Sequence, residues 1–292
     1  AEVLVGADVI PNPNGTAPGI YSPPRLSGEA NCALFLLPGP PRELYPMFHA
    51  EVTPRLKALA GVELISEVTE LKFVGIGESS FHEGIDAKLA EIDGLEVGYC
   101  ARLGEVDLRL IGTPDAIQQG RHIAEASFSD YLIGDDGSSL EKVVVELLTR
   151  TGKTLTTAES CTGGLIASRI TDVSGASAAF THGFVTYSNE AKQQLIGVKA
   201  ETLEAHGAVS EEVAGEMAAG ALQVSGADIA VSITGIAGPT GGTEEKPVGT
   251  VCFGIATSKG VETYRECHPR SRADFKDQSS QRALDLVRRA LR

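Results

Sequence analysis

"TTAESCTGGLIASRIT", residues 156–171, joins a short run of strand character to a helically spaced run through two glycines. With Lys153–Ala158 as a strand and Gly163–Thr171 as a helix, the stretch is one strand–turn–helix unit of a layered α/β fold. Ser160, Cys161 and Thr162 all fall in the turn. Backbone N–H groups at a helix start lack intrahelical partners, which leaves two readings open. Either Ser160 or Thr162 caps the helix, or Ser160 or Cys161 attacks a substrate whose oxyanion those N–H groups hold. Gly163 and Gly164 let a ligand approach the backbone closely.

Outward from this turn, the alternation continues to the C-terminus. Upstream, Ser139–Arg150 is an amphipathic helix with Leu140, Val143, Val144, Leu147 and Leu148 on one face. Downstream, "FVTYS" (184–188) is a strand and "NEAKQQLIGV" (189–198) a helix. Ser210 caps the alanine-rich helix "EEVAGEMAAGALQVSG", with Glu211 and Glu212 in its first turn. "DIAVSITG", "GTVCFGIAT" and the more exposed "VETYREC" are strands, and residues 272–291 form a closing helix. In such sheets ligand sites lie outside the carboxyl ends of strands, and both Ser160 and Tyr187 fall on that rim.

A serine nucleophile needs a base. His182 and His206 fall among helix-end residues and His268 at a strand end, so no Ser-His-Asp set is evident. Lys192 stands one turn into the helix after Tyr187, with Ser188 or Asn189 at the cap. Desolvated on the rim, such a lysine acts as a general base; otherwise it is a solvated helix lysine and Tyr187 an ordinary rim residue. The loop "SITGIAGPTGGTEEKPVGT" (232–250), rich in glycine and proline, also follows a strand and suits a ligand-shaping role. It has no GxxxxGK[ST] pattern, so triphosphate hydrolysis has no support. Its pair Glu244-Glu245 reads as a solvated loop rather than a metal site.

The bulk of the chain sets the frame. Its 292 residues suffice for about two domains, and 42% apolar content is that of a folded protein. Residues 1–65 are rich in proline and glycine, with a strand at Cys32–Leu37 and a helix over Arg42–Leu59 interrupted near Pro46 and Pro54. One strand and one helix bury little core, and the chain begins without methionine, so this segment reads as the tail of a larger domain. Residues 66–135 read as a small β-α-β-β-α module, and "IGDDGSSL" as the linker to residues 138–292. Of the net charge of −14, −9 lies in 66–135, which disfavours nucleic-acid binding. Five scattered cysteines without a CxxC pair argue against disulfides or structural zinc, and for a reducing compartment. No apolar run approaches a membrane span, and no leader opens the chain; a cytoplasmic location is expected.

Taken together, "TTAESCTGG", "FVTYSNEAKQQLIGV", "HGAVSEEVAGEMAAGAL" and "SITGIAGPTGGTEEKPVGTV" resemble the nicotinamide-nucleotide amidase (NMN deamidase) domain at the C-terminus of the CinA family, over essentially all of residues 138–292. "PNPNGTAPG" and "LPGPPRELYPMF" resemble the end of that family's molybdopterin-binding-like domain, and residues 70–135 its KH-type module. The KH-like region has "VGIGESS" in place of a basic GxxG loop. The segment that the family's pyrophosphatase activity needs is not in the chain.

The resemblance implies hydrolysis of nicotinamide mononucleotide to nicotinate mononucleotide and ammonia, without metal or cofactor, by a cytoplasmic homo-oligomer, expected as a dimer. Mapped onto this sequence, Ser160 is the nucleophile, Lys192 the base and Tyr187 its proton relay. Cys161, Thr162, Gly163, Gly164, Asn189, Thr234, Gly235, Gly238 and Arg272 surround the substrate and its phosphate. Two other hypotheses stand beside it: a Cys161 thiolate nucleophile, and a nucleotide-binding regulatory or interaction protein without turnover.

Overall fold

A computed structural model describes residues 5–24, 32–60, 67–135 and 137–292. The chain divides into two compact units, Ala1–Glu67 and Val68–Arg292. The boundary expected at residue 65 and Asp136 of the expected linker lie outside the described residues.

Among the described residues the first unit holds three short strands where one is expected: β1 (Asp8–Ile10), β2 (Gly19–Ser22) and β3 (Leu34–Leu36), in antiparallel order β1-β2-β3. Runs of three or four residues between proline and glycine carry too little periodicity to be read as strands. Helices α1 (Pro41–Met47) and α2 (Thr53–Ala60) flank a π-helical stretch, Phe48–Val52. Pro46, which has no N–H to donate, precedes this widened turn. Ile10, Met47 and Val52 form the small core, with Tyr21 stacked on Phe35.

The second unit opens with β4 (Glu67–Val74), α3 (Glu78–Leu89), β5 (Glu96–Arg102), β6 (Glu105–Gly112), α4 (Pro114–Phe128) and β7 (Leu132–Asp135). Their sheet runs β5-β6-β4-β7, and Phe73, Phe81, Ile85, Leu108, Leu110 and Ile117 share one core with the two helices. The segment expected as linker is in part β7, paired antiparallel with β4. Its glycine and aspartates mask an edge strand held by backbone bonds and by Arg121, whose Nη1 reaches Asp135 at 2.6 Å.

The remaining residues form α5 (Leu140–Thr151), β8 (Leu155–Glu159), α6 (Leu165–Thr171), β9 (Phe180–Val185), α7 (Asn189–Ile196), α8 (Ala200–His206), α9 (Glu211–Ser225), β10 (Ile229–Gly235), β11 (Thr250–Thr257), β12 (Gly260–Cys267) and α10 (Arg272–Ala290). The sheet order is β12-β11-β10-β8-β9, with β10, β8 and β9 parallel and β11 and β12 antiparallel additions. One face packs on α5, α6 and α10 through Val144, Leu148, Ile166, Phe253, Leu284 and Val287. The other packs on α9 through small side chains, Ala218 and Ala221 against Ala158, Ala230 and Ala256. Backbone approaches are correspondingly close. A Cβ on Gly254 would stand 2.4 Å from the Ala214 carbonyl, and one on Gly220 only 1.7 Å from that of Ile196.

Local signals explain the boundaries. Ser139, Ser188, Ser210 and Ser271 each accept an N–H bond at the start of α5, α7, α9 and α10. Gly152, Gly197 and Gly226 end α5, α7 and α9 in the left-handed conformation. The strand expected at 184–188 starts and ends earlier, at Phe180–Val185, so His182 lies in a strand, its ring stacked 6.0 Å from Phe184, and not at a helix end. Among the described residues no helix is long and apolar enough to cross a membrane.

Candidate active site

Strands β8, β9 and β10 are parallel, so their carboxyl ends open on one rim. Ser160 directly follows β8, Tyr187 lies two residues past β9, and Thr234 and Gly235 close β10. With Lys192 and Arg272 they line a cavity of about 210 Å³, which also takes in Cys161, Asn189, Ala208, Val209 and Ala237.

Lys192 is not a solvated helix lysine. It is 1% exposed, and burial lowers its pKa from the ordinary lysine value. Its Nζ lies 3.1 Å from Ser160 Oγ, 2.9 Å from the Thr186 carbonyl and 3.4 Å from the Tyr187 carbonyl. A neutral amine has two hydrogens and one lone pair. The two carbonyls can only accept, so they take the hydrogens and leave the lone pair facing the Ser160 hydroxyl.

Tyr187 is placed differently from the proton-relay expectation. It is 63% exposed, and its hydroxyl accepts from Arg272 Nη2 at 3.3 Å, with no bond to Ser160 or Lys192. Its main chain, not its phenol, touches the lysine, because the loop turns outward after β9. Arg272 also donates to the Gly238 carbonyl at 2.9 Å, so it spans the cavity mouth from the start of α10.

Cys161 lines the cavity, yet burial pushes its thiol up to about 12. At neutral pH it is a protonated packing group, which argues against a thiolate nucleophile. Gly235 leaves no room for a side chain: a Cβ there would meet the Thr250 carbonyl at 2.9 Å, the Phe275 ring at 3.0 Å and the Cys161 sulfur at 3.2 Å. Thr234 donates to the Ala208 carbonyl at 2.8 Å, fixing one wall.

The turn after Ser160 departs from expectation. Its N–H groups are largely engaged: Ser160 donates to the Ile233 carbonyl and Gly163 to the Ser160 carbonyl, while Gly164, Ile166 and Ala167 donate to Glu159. Neither Ser160 nor Thr162 caps α6. Thr162 is fully buried and donates to Glu159 at 2.7 Å. Thr162, Gly163 and Gly164 therefore shape the turn and stay outside the cavity lining, as does Gly238 apart from its bond to Arg272. The N–H groups of Cys161 and Thr162 reach no backbone carbonyl among the described residues; both lie beside the Cys161 sulfur. Glu159, Ala208, Val209 and Ala237 were not expected. The expected strand stops at Ala158, one residue short of Glu159, which ends β8.

A three-layer α/β domain with a serine–lysine pair on the carboxyl rim of its parallel strands thus defines the class. The sequence model of the CinA C-terminal domain matches residues 137–291. A CinA-like protein of Akkermansia muciniphila is 50% identical over 286 residues, covering 97% of this chain and 68% of the relative. One from Mycobacterium marinum is 42% identical over 300 residues, covering 100% and 68%. The competence/damage inducible protein CihA of Agrobacterium tumefaciens, a solved structure, is 43% identical with a TM-score of 0.51, over 52% of this chain and 93% of that one. The chain belongs to the CinA family, and it spans about two thirds of the length of these curated relatives.

Proposed function

We propose that the chain hydrolyses the carboxamide of nicotinamide mononucleotide, giving nicotinate mononucleotide and ammonia. The substrate follows from the motif resemblance. The chemistry rests on one observation, the 3.1 Å contact between Ser160 Oγ and a buried Lys192 Nζ of lowered pKa.

Neutral Lys192 takes the Ser160 proton as Oγ attacks the carboxamide carbon. The C–N bond of the tetrahedral intermediate breaks as the Lys192 ammonium returns that proton to the leaving nitrogen, and ammonia departs. Water then attacks the acyl-enzyme, giving its proton to Lys192. Collapse of the second intermediate releases the carboxylic acid, and Ser160 regains a proton from Lys192. Of the turn's N–H groups, that of Cys161, a residue lining the cavity, is the one offered to the developing oxyanion. Arg272 binds the phosphate at the cavity mouth, bidentately once it leaves Tyr187 and Gly238. Tyr187 walls the mouth, and its carbonyl orients the lysine.

Incubation of the purified chain with nicotinamide mononucleotide, with ammonia and nicotinate mononucleotide quantified together, tests the reading. Stoichiometric appearance of both products is expected. Binding of the nucleotide without either product would leave the chain a nucleotide-binding protein instead.

A further inference from the structure

β8 ends in an acid that the chemistry above does not use. Glu159 is fully buried, at the end of a strand whose other members, Leu155 to Ala158, are equally buried. A carboxylate in such a place is costly unless donors surround it. Here they do. Oε2 accepts from the Thr162 hydroxyl at 2.7 Å and from the N–H groups of Gly164 at 3.1 Å and Ile166 at 3.0 Å. Oε1 accepts from the Ala167 N–H at 2.9 Å. None of these four partners is a cation; three are the orphan amides of a helix start. The main chain is held on both sides as well, since the Glu159 carbonyl accepts from Thr186 and the Ser160 N–H donates to Ile233.

The first turn of α6 is therefore filled from within. An anionic ligand has no vacancy there, which leaves the Arg272 side of the cavity for a phosphate. The turn that carries Ser160 closes on Glu159 and not on its own side chains.

We propose that Glu159 is the positioning residue of this site: its carboxylate gathers Thr162, Gly164, Ile166 and Ala167 and so fixes Ser160 against Lys192. The proposal rests on the serine–lysine reading. Glu159 touches no reacting atom. An amide of the same shape would turn an NH₂ group toward donors and force the turn to shift. A displacement of about 1 Å in a nucleophile costs about a hundredfold in rate.

The test uses Glu159→Gln, Thr162→Val and Thr162→Ser in the full chain, with two readouts. One is the rate at which Ser160 is labelled by an alkyl fluorophosphonate, the site verified by mass spectrometry. The other is kcat and KM for ammonia release from nicotinamide mononucleotide. Glu159→Gln is expected to lower the labelling rate and kcat together by about a hundredfold, with KM within about twofold. Thr162→Val loses about tenfold and Thr162→Ser is restored to wild type. If Glu159→Gln does not unfold cooperatively, the Thr162 pair decides, because it removes one donor and leaves the carboxylate in place. A folded Glu159→Gln chain with both rates unchanged overturns the proposal. So does a lower melting temperature with unchanged rates per folded molecule, or Thr162→Val indistinguishable from wild type. Glu159-dependent labelling without ammonia release sinks the nucleotide reading alone. A wild-type Ser160 that takes no label sinks both.

Discussion

Ser160 and Lys192, separated by 32 positions in sequence, meet at 3.1 Å because the crossover from β8 to β9 brings α7 back over the end of β8. Ser160 is 8% exposed and Lys192 1%. The lysine is thus largely desolvated, and both side chains face the same cavity.

Ser160→Ala is expected to reduce kcat by about three orders of magnitude or more. Cys161→Ala should retain most of the activity, since the thiol is protonated and packs against Gly235. Kinetics of both variants, with Cys161 alkylation followed by mass spectrometry, check this. An alkylation that abolishes turnover while Ser160→Ala stays active would reverse the assignment.

Lys192 works as a base only when unprotonated. Its pKa lies below the ordinary 10.5 because of burial, so kcat/KM should rise with pH through one ionisation below that value. Lys192→Arg should be nearly inactive, because a guanidinium keeps its proton. Were Lys192 only an electrostatic anchor for phosphate, Arg would rescue kcat and loss of charge would mainly raise KM.

The same burial makes the lysine a stability cost. The unfolded chain binds the Lys192 proton up to about pH 10.5 and the folded chain releases it earlier. Between the two values the unfolded state carries more protons, so stability rises with pH. Lys192→Met removes that slope. Its unfolding free energy relative to wild type should grow as pH falls from 10.5 and level off below the folded pKa. Urea titrations of both proteins across that range measure it; an unchanged difference would contradict a depressed lysine.

Gly220 lets α9 touch the last turn of α7. Gly220→Ala forces a Cβ to within 1.7 Å of the Ile196 carbonyl unless the helices part. A loss of about 1–3 kcal/mol is expected, read by chemical denaturation. Because Ile196 ends the helix that carries Lys192, kcat should fall as well. Wild-type stability would show that α7 yields easily.

Residues 138–292 contain both cores of the larger sheet, apart from Val74 and Ile133, and the CinA C-terminal domain matches residues 137–291. Expressed alone, the segment should fold and keep most of its kcat, with a lower melting temperature. The loss reflects the Gln281–Glu105 bond and the bond from Arg288 to the Asp130 carbonyl. An unfolded segment would refute it.

Much of the fold could be read from the chain, for identifiable reasons. The serine caps before α7 and α9, the apolar runs of β10 and β11, and Lys192 one turn into a helix are local signals. What escaped is nonlocal. β7 is a strand because β4 pairs with it, although its own residues spell a turn. Helix α8 is seven residues between glycine-bearing turns, too short for a period to register. Rim topology brings Ser160 and Tyr187 together but leaves Lys192 open between a base and a solvated helix lysine; its pairing with Ser160 is implied by the family resemblance. The outward turn of Tyr187 was not legible, because a side chain's direction past a strand end depends on the loop. Glu159 was hidden by its type: an acid beside a serine suggests a surface cap until the strand around it is known to be buried.

Helix α10 begins at Arg272, on the cavity mouth, and thirteen residues later carries Asp285, 1% exposed and ion-paired with Arg282, Arg288 and Arg289. Arg288 bonds the Asp130 carbonyl and Gln281 bonds Glu105, so that end of the helix is fastened to the connection before β7 and to the start of β6. The span from Asp285 to Arg272 is about 20 Å at 1.5 Å per residue. Over that length a tilt of about 5° at the Asp285 end would carry Arg272 by about 2 Å, and the burial of Phe275, Ala283 and Leu284 in the core of the larger sheet opposes it.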